Sequence, residues 1–343
     1  MKHPFTGLYH YCDHLARALI RTAISQHRLC FYLPAALKSI FGEDQCYLYQ
    51  RSIHKYLFPS LNNVAVWHCT HQDTDYFPRS TDLKVVLTIH DLNYLHDASK
   101  ADVKKKRFAA QLQAKIDRSH YIVAISDYTL RDVEQHFSLG SKPRAVIHNG
   151  CNIEPMPQLA LPQYVPQAPF LFTLGAVTDK KNFHVLPALL VGNSMHLVIA
   201  GVMQSRAYQD RIRQEATLHG VADRVIFTGP VGENDKQWYL SHCTAFVFPS
   251  IAEGFGLPVV EAMYFGKPVF LSTCTSLPEV GGDAAYYFTS FEPGTMQQVL
   301  KEGLENFEAG NRKEQVRARA ASFSWMEAAE KYHGVYDELL AGK

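Results

Sequence analysis

An α/β chain with two doubly wound, parallel-sheet domains is what three observations predict. Between residues 170 and 288, short apolar runs alternate with amphipathic segments, the pattern of buried parallel strands separated by helices. Residues 1–155 show the same alternation less regularly. Between the halves, 152–169 (NIEPMPQLALPQYVPQAP) holds five prolines and reads as an extended linker. At 343 residues the chain is also too long for one ordinary core.

The elements follow in order. Residues 1–155 form the expected first domain, with a helix near 9–25 and apolar runs at 29–33, 64–67, 84–89, 121–125 and 144–147. No apolar run precedes Gly7, so this domain is expected to lack its opening strand. The second domain, 156–323, has strands expected at 170–174, 196–200, 224–228, 244–248, 268–272 and 284–288. Helices are expected near 182–191, 207–219, 233–242, 258–266 and 294–308, and a helix at 324–340 closes the chain within the final segment 324–343.

Composition narrows the class. Hydrophobic residues make up 47% of the chain and charged residues 20%, ordinary for a soluble globular protein. The seven cysteines are scattered without a C-x-x-C, which argues against a disulfide framework or zinc cluster and for a reducing compartment. The first 20 residues contain no uninterrupted apolar stretch of a secretory signal, and no run approaches a membrane span. A cytoplasmic location is therefore expected. The net charge of +1 hides an asymmetry: residues 1–155 carry 19 Lys+Arg against 14 Asp+Glu, and 12 of the 17 histidines. A basic first half, with Lys104-Lys105-Lys106-Arg107, suits an anionic surface or acidic substrate, although a solvated face explains any single cluster.

Three stretches carry chemistry. In FPSIAEGFGLPVVEAM (248–263) a strand leads into Glu253-Gly254-Phe255-Gly256, and Pro258 is expected to open a helix. Glycines let the backbone approach a ligand, and the free N–H groups of a helix start suit a pyrophosphate. Glu261, expected in the first turn, and Glu253 could each accept from a diol; two helix-capping acids explain the same pattern. The second stretch, GAVTDKKN (175–182), puts Lys180 and Lys181 on a strand-to-helix turn at the carboxyl edge of a parallel sheet, where phosphate binds and where a solvated pair is also at home. The third, TIHD (88–91), places His90 at a strand end, either toward substrate or as a structural histidine. Ser126 reads most simply as a helix cap. Asp73-Thr74-Asp75 has a metal-binding D-x-D form but lies in the half without the diphosphate signals, and Gly229-Pro230-Val231-Gly232 lacks the phosphate-loop spacing and reads as a turn beside a ligand.

The run FVFPSIAEGFGLPVVEAMYFGKPVFLSTCTSLPEVGGDAAYYF resembles the signature region of glycosyltransferase family 4, whose members have the GT-B architecture of two Rossmann-like domains facing a cleft. The family's paired glutamates fall on Glu253 and Glu261, and its phosphate-binding lysine falls on Lys181 in LGAVTDKKN. HNGCN (148–152) is similar to the element before the linker, TIHDLNYL to the segment of the cleft histidine His90, and FTGLYHY to the first glycine loop at Gly7. FSWMEAAEKYHGVYDELL resembles a closing helix that packs back across the domains. Where many relatives have an arginine at the lysine turn, this chain has Ala176 and Lys180.

The resemblance implies retaining transfer of a hexose from a nucleotide-diphosphate sugar, a UDP- or GDP-sugar, to a glycan or lipid-linked glycan acceptor, in lipopolysaccharide or other cell-surface polysaccharide synthesis. It implies no metal and no other cofactor. Lys181, Glu253 and His90 would be catalytic. Lys180, Gly254, Phe255, Gly256, Leu257, Glu261 and Val231 would hold the donor, and Gly7 and Ser126 would lie on the acceptor side. Weak peripheral contact with an anionic membrane is expected, and no nucleic acid. The alternatives are a non-catalytic scaffold subunit of the same fold, or a GT-B phosphorylase or epimerase.

Overall fold

The computed structural model describes residues 7–23, 27–59, 61, 63–78 and 83–342. It divides into two compact units: 1–150 together with 324–343, and 151–323. The division thus falls between Gly150 and Cys151, ahead of the proline-rich segment, and the closing residues belong with the first unit. The place of the expected missing strand, ahead of Gly7, lies outside the described residues.

The first unit opens with helix α1 (Gly7–Arg21), which buries Tyr11, Leu15, Ala16, Ala18 and Leu19 on one face. Strands β1 (Cys30–Leu33) and β2 (Cys46–Tyr49) pair in parallel as a separate two-stranded sheet. β2 is absent from the sequence reading, because CYLY is short and only partly buried. The main sheet orders β3 (Val66–Cys69), β4 (Lys84–Ile89), β5 (Tyr121–Ala124) and β6 (Arg144–Val146), all parallel. β4 and β5 are continuous apolar runs because parallel strands are covered on both faces. Helices α2 (Asn93–His96), α3 (Asp102–Arg118) and α4 (Asp127–His136) connect them. The closing helix, Trp325–Ala341, packs against α1. Its Tyr332 hydroxyl bonds Tyr11 at 2.7 Å and Thr88 at 3.0 Å, and Tyr336 bonds His68 at 2.8 Å.

The second unit is one six-stranded parallel sheet. Its strands are β7 (Phe170–Leu174), β8 (His196–Ala200), β9 (Val225–Gly229), β10 (Ala245–Phe248), β11 (Val269–Ser272) and β12 (Tyr286–Phe288). Their spatial order is β12-β11-β10-β7-β8-β9. The chain therefore winds outward from β7 in one direction, returns to β10 beside β7, and winds out in the other. That is a doubly wound order with its switch point between β7 and β10, where a crevice opens at the carboxyl ends of the strands. Helices α5 (Arg206–Leu218), α6 (Glu233–His242), α7 (Leu257–Tyr264), α8 (Leu277–Gly281), α9 (Pro293–Ala309) and α10 (Lys313–Ala321) complete the unit.

Three local expectations are corrected. The segment expected as an α-helix at 182–191 is a 3-10 helix, Phe183–Leu190. Asn182 enters it in a left-handed conformation and Pro187 removes a donor inside it, both of which oppose regular α geometry. Pro258 stands second in α7, because Gly256, at φ +106°, is the N-cap and Leu257 the first residue. Glu261 is consequently in the second turn, on the buried side of the helix.

Candidate functional site

The switch point brings together the two stretches that precede and follow it. After β7 the chain turns through Gly175 into the short 3-10 turn Asp179–Lys181. After β10 it passes through Ser250 to Glu253 and into α7. Main-chain bonds stitch the two: Ile251 N–H donates to the Lys180 carbonyl at 2.9 Å, and the Ser250 hydroxyl donates to the same oxygen at 3.0 Å.

That stitching separates two adjacent lysines. Lys180 uses its carbonyl as the anchor while its side chain is exposed. Lys181 is buried, its ammonium in an ion pair with Glu253 Oε1 and 4.7 Å from the Phe248 ring centroid. The side chains of this pair are only 10% and 13% exposed. Glu253 is fixed further by the Ser250 hydroxyl at 2.6 Å, and its N–H donates to Thr275 Oγ1 at 3.1 Å. Ser276 donates to the Glu253 and Phe255 carbonyls at 3.2 and 3.0 Å, holding the glycine loop. On the lysine turn, the inaccessible Thr178 Oγ1 and Asn182 Nδ2 have no hydrogen-bond partner among the described residues, and such orphaned groups mark strained or functional positions.

Glu261 is 4% exposed and is already partnered. Asn152 Nδ2 donates to its Oε1 at 3.1 Å, and Lys236 Nζ lies 3.3 Å from the same oxygen. Burial pulls Lys236 down, but the carboxylates of Glu261 and Glu233 outweigh it and hold the ammonium above the usual lysine value. Sequence reasoning missed Lys236; its i,i+3 spacing from Glu233 on α6 was a signal for that pair only. Around the loop, Gly254, Phe255 and Gly256 are buried and Leu257 and Val231 half-buried. The Phe255 ring packs edge-on against Phe323 at 5.4 Å.

The first unit places its predicted residues as follows. His90, at the end of β4, is buried; its Nε2 lies 2.8 Å from the Thr70 carbonyl, so Nε2 carries the proton. Burial, and then neighbouring His71, push it down to about 3, so it is neutral at physiological pH. Ser126 caps α4, accepting from Thr129 N–H at 3.1 Å. Gly7 begins α1 and is exposed. Asp75 pairs with Lys55 at 2.5 Å.

The switch point between β7 and β10, with its buried lysine, partnered glutamate and glycine-capped helix, is that of a doubly wound α/β unit of the Rossmann type. The family model "Glycosyl transferases group 1" matches residues 163–323 and "Glycosyltransferase Family 4" matches 47–155, which together cover most of the chain. The chain thus carries a family 4 glycosyltransferase domain followed by a group 1 glycosyl transferase domain. Among curated proteins it is similar to the serotype-specific mannosyltransferase WbdA of Escherichia coli, 29% identical over 266 residues, covering 72% of this chain and 32% of that protein. It is 25% identical over 276 residues to O-antigen chain mannosyltransferase B of Escherichia coli, covering 74% and 70%. The chain thus spans about a third of the length of the first of these relatives. Among solved structures, a sucrose-phosphate synthase from Thermosynechococcus elongatus superposes with TM-score 0.74 at 17% identity, covering 98% of this chain and 94% of that one. HepE from Anabaena, in complex with UDP and glucose, superposes with TM-score 0.72 at 15% identity, covering 98% and 97%. The architecture is GT-B.

Proposed function

We propose that this protein is a retaining glycosyltransferase that moves a hexose from a nucleotide-diphosphate sugar to a glycan or lipid-linked glycan, in lipopolysaccharide or other cell-surface polysaccharide synthesis. The observation that carries the reading is the Lys181–Glu253 pair at the β7/β10 switch point. The O-antigen mannosyltransferases among its relatives support a mannosyl donor, and HepE supports a nucleoside diphosphate at this fold.

In this mechanism the diphosphate gathers charge as the bond to the anomeric carbon breaks. Lys181 turns from Glu253 to the leaving phosphate, and the free amides at the start of α7 add their dipoles. Glu253, released, accepts from donor-sugar hydroxyls near the reacting carbon. Glu261, oriented by Asn152 and Lys236, accepts from the ribose hydroxyls. The exposed Lys180 side chain adds a phosphate contact, and backbone at Gly254, Phe255, Gly256, Leu257 and Val231 lines the donor. The first unit supplies the acceptor contacts, with His90 as a neutral polar group and Gly7 and Ser126 at helix starts. The leaving phosphate takes the acceptor proton on the same face, so no separate base and no metal is required.

Membrane contact is proposed at α3, where Lys104, Lys106 and Arg107 are exposed beside Val103, itself 79% exposed. Among the described residues no helix is long and apolar enough to cross a membrane. The location proposed is the inner face of the cytoplasmic membrane. The test is turnover and binding of GDP-mannose, UDP-glucose and ADP-glucose by the protein and by Lys181→Ala. Consumption of one donor, unaffected by EDTA and lost in the variant with unchanged circular dichroism, is expected. Failure to bind any nucleoside diphosphate would overturn the reading.

A further inference from the structure

Asp132 lies in the second half of α4, only 6% exposed, and its recorded ion pairs are to two imidazoles. His96 Nε2, at the end of α2, is 2.8 and 2.9 Å from its two carboxylate oxygens. His136 Nδ1, one helical turn along α4, is 3.1 Å from Oδ1 and 2.8 Å from the Asp132 carbonyl. A buried carboxylate costs free energy unless a cation or hydrogen bonds compensate it. The three residues present two imidazole nitrogens and a carboxylate at one point.

We propose that His96, Asp132 and His136 bind a divalent transition metal of the zinc class. One ligand atom from each lies within 4.8 Å of the others. Tetrahedral zinc with bonds of about 2.0–2.2 Å separates its ligand atoms by about 3.3–3.5 Å. The present His–Asp separations of 2.8 and 3.1 Å would have to open by about 0.2–0.7 Å. Asp132 and His136 are spaced i,i+4 on one helix, which aims both at the same point before any ion arrives. His96 comes from a turn 36 residues earlier, held at its start by Asp91 Oδ1, which accepts from Asn93 N–H at 2.9 Å.

The donor set selects the ion. Two imidazole nitrogens and one carboxylate suit zinc and its transition-metal neighbours, whereas calcium and magnesium prefer all-oxygen shells. The side chains of His96 and His136 are 43% and 40% exposed, so an ion can enter from solvent and keep water as its fourth ligand. Coordination requires His96 Nε2 and His136 Nδ1 each to give up any proton they carry.

The role is structural. The ion would clamp α2 to α4 within the first unit, whereas Lys181, Glu253 and Glu261 belong to the second. The inference is independent of the glycosyl-transfer reading.

The test uses the full chain, stripped with chelator, desalted and titrated with Zn2+ against a chromogenic competitor. One equivalent is expected to bind at submicromolar free Zn2+. At a hundredfold excess over Kd, Tm should rise by about 5–10 °C. His96→Gln, half-exposed and therefore tolerated by the fold, should weaken binding at least tenfold and abolish the Tm rise. Co2+ on the unaltered chain should give the absorption of a four-coordinate nitrogen–oxygen site. Absence of a stoichiometric site, equal binding by His96→Gln, or a thiolate-to-Co2+ charge-transfer band placing the metal on cysteine would each overturn the proposal.

Discussion

Removing the Lys181 charge should separate what the pair does for stability from what it does for chemistry. In Lys181→Met the Glu253 carboxylate stays 13% exposed with the Ser250 hydroxyl as a remaining partner. Breaking a buried pair by deleting one partner costs about 3–5 kcal/mol, because the survivor is left uncompensated. The Ser250 bond and residual exposure lower this to about 2–4 kcal/mol. Glu253→Gln in the same background removes the stranded charge and keeps an acceptor for Ser250, so the double variant should recover to within about 1 kcal/mol of the parent. Stability is read from urea unfolding followed by circular dichroism, and turnover from release of nucleoside diphosphate. Turnover should fall at least about a hundredfold in Lys181→Met and stay lost in the double variant, since no cation remains for the leaving phosphate. A double variant that regained both would refute this and make the pair purely structural.

Further outcomes concern other positions. Asn152→Ala removes one donor to the buried Glu261 carboxylate, and should raise the donor KM about tenfold with little change in kcat; an unchanged KM would place the nucleotide elsewhere. A Cβ at Gly201, where φ is +140°, would stand 1.9 Å from the Gly175 carbonyl oxygen, so Gly201→Ala should cost about 3 kcal/mol or more by urea unfolding. Three histidines of the first unit should make the fold acid-sensitive. His68 and His90 are held down to about 3 and His71 to about 4, chiefly by burial. The unfolded chain therefore binds more protons between these values and about 6.5, so stability is full above pH 6.5 and falls as pH drops. Each histidine should cost about 2 kcal/mol by pH 5, seen as a lower Tm; a Tm independent of pH from 7 to 5 would contradict their burial as neutral rings.

Most strands of the second unit could be read from sequence because each is a continuous apolar run bounded by turns, and parallel packing demands that pattern. The lysine turn and the glycine loop stood out for the same local reason: Gly256, Pro258 and the lysines carry backbone and charge properties that need no neighbour to be recognised. β2 and α10 did not stand out. CYLY is too short for periodicity to speak, and KEQVRARAA buries only Val316 and Ala320.

Residue chemistry alone thus determined that this chain is a two-domain α/β protein with an anion-suited turn in its second half. Tertiary structure decided which side chains meet. Lys181 and Glu253 are 72 residues apart, and Asn152 and Glu261 are 109 apart. Lys181 and Glu253 touch because the strand order returns β10 to the side of β7, a global property of sheet packing that no local window contains. It also chose between the adjacent lysines, since one 3-10 turn buries Lys181 and exposes Lys180. And it set Glu261 one residue further from the helix start than its sequence position suggests, because Gly256 could take the left-handed conformation that starts the helix at Leu257.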